Sequence, residues 1–256
     1  MRNRILQLLS DNRTTPRCFR VEASTADEAT IYLYDVIIPD DDDYWGGVSA
    51  LKFVNALNSL SAATIHLRIN SPGGDVFAAR AIETAIRQHA SRTVAHVDGF
   101  AASAASYVML AADEVEISDG AFIMIHKAMT VAVGNADDLR HVTGLLDDVD
   151  AAMIRTYADE TGQSQADIEA WVAAETWFNA QEAVERGFAD RVVAVPGGAG
   201  ANAQAGMWNL AAYAHAPAIP RAPVAPMAPA PESSAARLPG PDVAAMQRRF
   251  VLHHRL

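Results

Sequence analysis

The chain has 256 residues, half of them hydrophobic, which is enough to bury one sizeable core. Its formal net charge of −11 argues against nucleic acid as a partner, because phosphate groups are neutralised by lysine and arginine side chains. The single cysteine, Cys18, excludes an intrachain disulfide and agrees with a reducing compartment.

The N-terminal residues are polar and mixed, and we predict a flexible arm over residues 1–26. The apolar stretch Ile5–Leu9 is too short for the core of a signal peptide. The longest weakly polar run, Gly99–Ala112, is shorter than the roughly 20 residues that a membrane span needs. We therefore expect a cytoplasmic protein with no membrane partner.

Strand and helix patterns alternate along residues 27–195. Runs rich in β-branched or alternating apolar residues predict strands at 29–38, 64–69, 93–97, 115–117, 121–125 and 191–195. Apolar residues at helical spacing predict helices at 48–57, 75–88, 103–112, 137–158 and 180–187, and one that begins at Ser164. Asn135 is placed to cap the longest of these helices and Gly162 to stop it. The alternation predicts an α/β domain with a largely parallel sheet.

Composition changes at Pro196, where a stretch dominated by Ala, Pro and Gly begins. Such a stretch buries too little apolar surface to offset the loss of chain entropy, so we predict disorder. The chain then divides into an arm (1–26), an α/β domain (27–195) and a disordered tail (196–256).

Three segments contain the residue types of serine chemistry. Asn70-Ser-Pro-Gly-Gly74 joins a strand to a helix through two glycines, whose N–H groups are suited to bind an oxyanion. Ser103 begins a predicted helix that follows a strand, where the helix dipole stabilises negative charge, and it lies among alanines that allow a substrate to approach. His126 ends a strand, and an imidazole that titrates near neutrality is suited to be a general base.

Two parts of this site stay open at the level of residues and spacing. Ser106 lies one helical turn after Ser103 and is a rival nucleophile. A carboxylate is needed to orient the imidazole, and spacing does not choose among the candidates Asp98, Asp113, Glu175 and Asp190. The four aspartates at 40–43 lack the spacing of metal ligands, and we expect neither a metal nor an organic cofactor.

Five segments in this order resemble the proteolytic subunit of the Clp protease, ClpP: Ile69-Asn-Ser-Pro-Gly-Gly74, Gly99-Phe-Ala-Ala-Ser103, Met124-Ile-His126, Thr161-Gly-Gln-Ser164 and Glu182-Ala-Val-Glu-Arg-Gly187. The resemblance covers residues 28–195. It implies an α/β fold, the ClpP/crotonase-like spiral of ββα units, with 137–158 as a projecting handle helix. Trp45-Gly-Gly-Val-Ser49, the repeated Ala-Ala-Ser and the Pro/Ala-rich tail look most like the ClpP-related head maturation proteases of phages and prophages.

The resemblance implies a serine endopeptidase with Ser103 as nucleophile and His126 as base. Glu175 stands at the position of the family's aspartate, with a side chain one carbon longer. The oxyanion donors are then the main-chain N–H groups of Gly74 and Ala104.

The resemblance also implies peptide substrates and partners. A substrate peptide is expected to lie as a strand beside Thr130–Gly134. Asp190 matches a structural turn into the last strand. We expect homo-oligomeric rings, either heptamers or stacked rings, and a Clp-type ATPase or a capsid or scaffold precursor as partner. After His126 this chain has Lys127-Ala-Met129 where the family usually has a polar residue and Pro.

Other functions are compatible with the same fold. One is an inactive scaffold or interaction protein, which an Ala- and Pro-rich tail would suit. A second is crotonase-like acyl-CoA chemistry, which uses paired carboxylates at an oxyanion pocket and needs no serine. A Ser–Lys signal-peptide peptidase is a further relative, with Lys127 as candidate base, but it requires a membrane anchor.

Overall fold

An eight-stranded sheet is the centre of the structure, a computed structural model that describes residues 4–12, 15, 17–23, 27–41, 46–194 and 208–217. The chain divides by its contacts into residues 1–222, which include every described residue, and residues 223–256. The strands are β1 Cys18–Ala23, β2 Glu28–Tyr34, β3 Ile37–Ile38, β4 Val48–Ser49, β5 Thr64–Ser71, β6 Arg92–Ala102, β7 Glu114–Ser118, β8 Phe122–Ile125, β9 Thr176–Asn179 and β10 Arg191–Val193. The helices are α1 Arg4–Asp11, α2 Ala50–Asn58, α3 Val76–Gln88, α4 Ala105–Leu110, α5 Ala136–Thr161, α6 Gln165–Ala174 and α7 Ala180–Glu185.

The sheet has the order β1-β2-β5-β6-β7-β10, and β8 pairs with both β6 and β9. The pairs β1–β2 and β8–β9 are antiparallel and the others are parallel. Parallel neighbours need crossover connections, and helices supply most of them. The largely parallel α/β sheet expected from the sequence is therefore confirmed.

Besides its pairing with β5, strand β6 pairs with two further strands, and this branch positions the functional site. Its first half pairs with β7 through Val94–Val97, and its last residues, Phe100–Ala102, pair with β8. The ends of β6 and β8 therefore meet at one edge of the sheet, where the loop after β5 also arrives.

Apolar side chains from the strands and from the flanking helices form the main core. Ile31, Leu67 and Val97 of the sheet belong to the same buried cluster as Phe53 of α2 and Ile82 of α3. Each such side chain contributes about 1.5–3 kcal/mol when fully buried. The two helices face the sheet because their apolar residues recur at helical spacing.

Helix α5 is half packed and half projecting. Asn135 and Asp138 form a capping box at its start, and Gly162 ends it in the left-handed conformation, so both predicted caps are confirmed. Its C-terminal part buries Tyr157 in the core, whereas Leu145 in its N-terminal part is 48% exposed. Among the described residues, no helix is long and apolar enough to cross a membrane.

The flexible arm predicted for residues 1–26 is wrong where the structure describes it. Helix α1 occupies Arg4–Asp11, and β1 pairs along its whole length with β2. The reason is packing, since Phe19 of β1 lies against Phe53 with ring centroids 6.0 Å apart.

The disordered tail predicted for residues 196–256 is contradicted at residues 208–217. Trp208, Leu210 and Tyr213 are buried in a cluster with Leu8 of α1 and Met124 of β8. The average composition of a long Ala- and Pro-rich stretch does not reveal a short local group of large apolar residues. The rest of the predicted tail, residues 196–207 and 218–256, lies outside the described residues.

Candidate active site

Ser103 occupies the turn between β6 and α4 and has a left-handed backbone, with φ of 54°. Its N–H donates to the carbonyl of Met124 at 2.8 Å, which ties the turn to β8. A non-glycine residue in this region costs about 1–3 kcal/mol, and such strain is common at functional sites. The helix begins at Ala105 rather than at Ser103 as predicted, because Ser103 forms the turn.

His126 follows β8, which runs parallel to the end of β6 with Ala102 opposite Met124. Both Ser103 and His126 therefore leave the sheet at the same edge, and His126 Nε2 lies 2.8 Å from Ser103 Oγ. Burial lowers the pKa of His126 to about 4, the charge of Glu175 opposes this shift, and that of Arg4 adds to it. A neutral imidazole with its proton on Nδ1 accepts the hydroxyl proton at Nε2.

The strand register places Glu175 beside His126. Strand β9 is antiparallel to β8 and pairs Thr176 with Ile125, so the next pair along is Glu175 and His126. Glu175 is buried and ends α6 in a left-handed conformation, with φ of 51°. This explains how a residue far along the chain reaches the histidine.

The Glu175 carboxylate nevertheless faces other partners. One oxygen, Oε1, accepts the main-chain N–H of His215 at 2.8 Å, and Oε2 pairs with Arg4 Nη1 at 3.1 Å. Among the described residues, no hydrogen bond joins Glu175 to His126. The serine–histidine bond is present, and the histidine–carboxylate bond is not formed in this arrangement.

The other candidate carboxylates have structural partners. Asp98 accepts hydrogen bonds from Arg68 across the sheet. Asp113 accepts two from Thr93, through its N–H and its hydroxyl. Asp190 accepts a main-chain N–H of β7 at 2.7 Å, in agreement with a structural turn. Glu175 is the carboxylate of this group that stands next to His126.

Ser106 is fully buried in α4 and does not contact the histidine. Its Oγ lies 2.6 Å from the carbonyl oxygen of Ser103 and 2.6 Å from the hydroxyl of Tyr157 on α5. The first contact ties α4 to the turn before it, and the second joins α4 to α5 in the core. The structure therefore gives Ser106 a packing role and leaves Ser103 as the serine paired with His126.

The glycine loop after β5 lies against the Ser103 turn. A Cβ on Gly73 would lie 2.8 Å from the main-chain nitrogen of Ala104, and one on Gly74 would lie 1.9 Å from the carbonyl oxygen of Ile37. Ile37 N–H donates to Gly73 O at 2.8 Å, and the two ends of a trans peptide point in opposite directions. The N–H of Gly74 therefore points away from Ile37.

One residue at the site was missed by the sequence analysis. Tyr213 is buried with its ring edge-on to His126 at a centroid distance of 5.5 Å and to Trp177 at 5.9 Å. Its hydroxyl donates to the carbonyl of Pro72 at 2.7 Å. Burial raises the pKa of Tyr213, and the side chain of Ser103 opposes this shift. In the part of the chain that the structure describes, no group of His, Cys, Asp and Glu is arranged to hold a metal ion.

Comparison with known proteins gives one consistent family. A family model described as Clp protease matches residues 13–196. The ATP-dependent Clp protease proteolytic subunit 2 of Mycolicibacterium paratuberculosis is 32% identical over 131 residues, which are 50% of this chain and 66% of that protein. Proteolytic subunit 1 of Streptomyces avermitilis is 34% identical over 152 residues, 57% of this chain and 70% of that protein.

A solved structure shares the fold. A mutant of ClpP1 from Listeria monocytogenes superposes with a TM-score of 0.57 at 22% identity, over 65% of this chain and 92% of that chain. This likeness confirms the ClpP-like fold implied by the sequence motifs. Because the family model spans most of the described domain, the chain belongs to the Clp protease family.

Proposed function

We propose that this chain is a serine endopeptidase in which Ser103 is the nucleophile and His126 the general base. The observation that carries the proposal is the 2.8 Å contact between Ser103 Oγ and His126 Nε2. A neutral imidazole at this distance is ready to take the hydroxyl proton as the serine attacks. The family of the chain supports the same chemistry.

In the proposed reaction, Ser103 Oγ attacks a peptide carbonyl carbon while His126 Nε2 takes its proton. The main-chain N–H groups of Gly74 and Ala104 stabilise the oxyanion, and one such donor is typically worth about 2.7–4 kcal/mol. His126 then passes the proton to the leaving amine, and the peptide bond breaks. Water, deprotonated by His126, hydrolyses the acyl ester and restores the Ser103 hydroxyl.

Glu175 is the proposed partner of His126 Nδ1–H. The support is its position next to His126 in the register of β8 and β9, and its electrostatic effect, which favours the charged imidazole. To accept a hydrogen bond from Nδ1–H, the carboxylate has to turn from its present arrangement, in which its oxygens face Arg4 and the N–H of His215.

We propose that an extended substrate lies beside Thr130–Gly134. These residues form no strand with any described residue, and Val133 is 93% exposed, so their backbone is available for pairing. Exposed apolar residues on the projecting half of α5, Leu139 and Leu145, suit packing between subunits of a ring.

The partners of the ring are also proposals. The relatives are named as subunits of ATP-dependent Clp proteases, which supports a Clp-type ATPase. The phage-like segments of the sequence support a capsid or scaffold precursor as substrate. Coexpression with the capsid gene tests this second idea, and an uncut capsid beside an active enzyme would contradict it.

The experiment for the proposed activity is hydrolysis of fluorescein-labelled casein by the purified full chain. Slow release of fluorescent peptides is expected from the wild-type chain and none from Ser103→Ala. Ser106→Ala is the matched control, because it removes a neighbouring serine hydroxyl that does not contact His126. Hydrolysis that survives Ser103→Ala would refute the assignment, and a wild-type chain that neither hydrolyses casein nor forms a fluorophosphonate adduct on Ser103 after prolonged incubation would favour the inactive scaffold. Binding of coenzyme A in a calorimeter would favour the acyl-CoA alternative.

A further inference from the structure

Residues 208–217, which we call the C-terminal plug, lie on the side chains of the proposed active site. The buried ring of Tyr213 contacts the ring of His126, and its hydroxyl donates to Pro72 O at 2.7 Å. Pro72 belongs to the same loop as Gly74, the proposed oxyanion donor. The phenol thus lies between this loop, Ser103 and His126, where a substrate carbonyl has to enter.

The plug also engages the carboxylate that the mechanism needs. The N–H of His215 donates to Glu175 Oε1 at 2.8 Å, and the His215 ring lies 2.9 Å from the carbonyl of Ala174. Arg4 of α1 pairs with the other oxygen at 3.1 Å. With both oxygens engaged, Glu175 makes no hydrogen bond to His126, its neighbour in the register.

Helix α1 holds the plug in place. The buried side chain of Asn12 donates to the carbonyl of Asn209 at 2.8 Å and accepts the N–H of the same residue. Leu8 of α1 lies in the same apolar cluster as Trp208 and Tyr213. The plug and α1 are therefore joined to each other as well as to the site.

We infer that residues 208–217 are an intramolecular inhibitor of the Ser103–His126 site, and that the enzyme becomes active when this plug leaves. Release uncovers Ser103 and removes the His215 N–H from Glu175, whose carboxylate can then turn and accept a hydrogen bond from Nδ1–H of His126. The inference rests on the proposed function, since it assumes that Ser103 is the reactive serine.

The test compares the rates at which a fluorophosphonate labels the full-length chain and its full-length variants. Tyr213→Ala is expected to react about tenfold faster than wild type, because a larger fraction of molecules has an open site. Tyr32→Ala, the same change at a half-buried position of β2, is the control and is expected to react at the wild-type rate. His215→Pro removes the N–H that Glu175 accepts and His215→Ala keeps it, so the proline variant is expected to react faster.

Hydrogen exchange followed by mass spectrometry reports the position of the plug independently of activity. Peptides covering 208–217 are expected to be protected in the wild-type chain and to lose protection in His215→Pro. Rapid exchange of the plug in wild type, or equal labelling of wild type, Tyr213→Ala and His215→Pro, would overturn the inference. Labelling of Ser103 in these chains would still support the proposed function. If variants with a freely exchanging plug do not react at all, the proposed function fails and the inhibitory role fails with it.

Discussion

Gly74→Ala tests the glycine loop that faces the Ser103 turn. Gly74 has φ of 145°, a conformation open mainly to glycine, and the new Cβ would lie 1.9 Å from the carbonyl oxygen of Ile37. To relieve the clash, the loop must move away from β3 and weaken the two hydrogen bonds that Ile37 makes with Gly73 and Asp75. Strain of about 1–3 kcal/mol and two bonds of about 1 kcal/mol each give a loss of about 3–5 kcal/mol in the free energy of unfolding.

Urea denaturation of the full chain measures this loss, and fluorophosphonate labelling measures the displacement of the oxyanion donor. The matched control is Gly144→Ala on the exposed part of α5, where an added Cβ meets no atom within 4 Å. That control is expected to be more stable than wild type by about 0.5–1 kcal/mol, because glycine weakens a helix interior. A Gly74→Ala chain with wild-type stability and wild-type labelling would refute the description of the loop.

The buried side chains of Ser106 and His126 give two further tests. Ser106→Ala is expected to lower the free energy of unfolding by about 1–3 kcal/mol, because the buried Tyr157 hydroxyl loses a partner. Fluorophosphonate labelling of Ser103 is expected to be retained in this variant. Unchanged stability in urea denaturation would contradict the prediction. Because burial lowers the pKa of His126 from 6.5 to about 4, the unfolded chain binds a proton first as pH falls. The His126 contribution to stability is therefore expected to be complete above about pH 6.5 and to disappear as pH falls toward about 4. Urea midpoints across this range measure it, and a His126→Ala chain with an equally steep pH dependence would show that other groups are responsible.

Local pattern was enough to predict most of the sheet and the helices that pack on it. Alternating or continuous apolar runs placed β5 and β8, and the caps Asn135 and Gly162 placed the ends of α5. The predicted strand 29–38 instead breaks at Asp35, whose buried carboxylate accepts the N–H of Val36. That break depends on a local hydrogen bond that the β-branched composition of the run does not reveal.

The site was less predictable because its arrangement depends on residues distant in sequence. Ser103 and His126 were found through motifs, and the pairing of β6 with β8 explains why they meet. The short strand β9, which places Glu175, has too few residues to show a pattern. Glu175 is partnered by Arg4 and His215, which lie 171 and 40 residues away in the chain. No local sequence pattern indicates such distant partners.

The assignment of Ser103 as the nucleophile is tested most directly by mapping the fluorophosphonate adduct with mass spectrometry, after prolonged incubation of the folded full-length chain. One adduct is expected, on Ser103, which is absent from Ser103→Ala, strongly reduced in His126→Ala and unchanged in Ser106→Ala. An adduct on Ser106, or a folded chain with an open plug and no adduct, would contradict it.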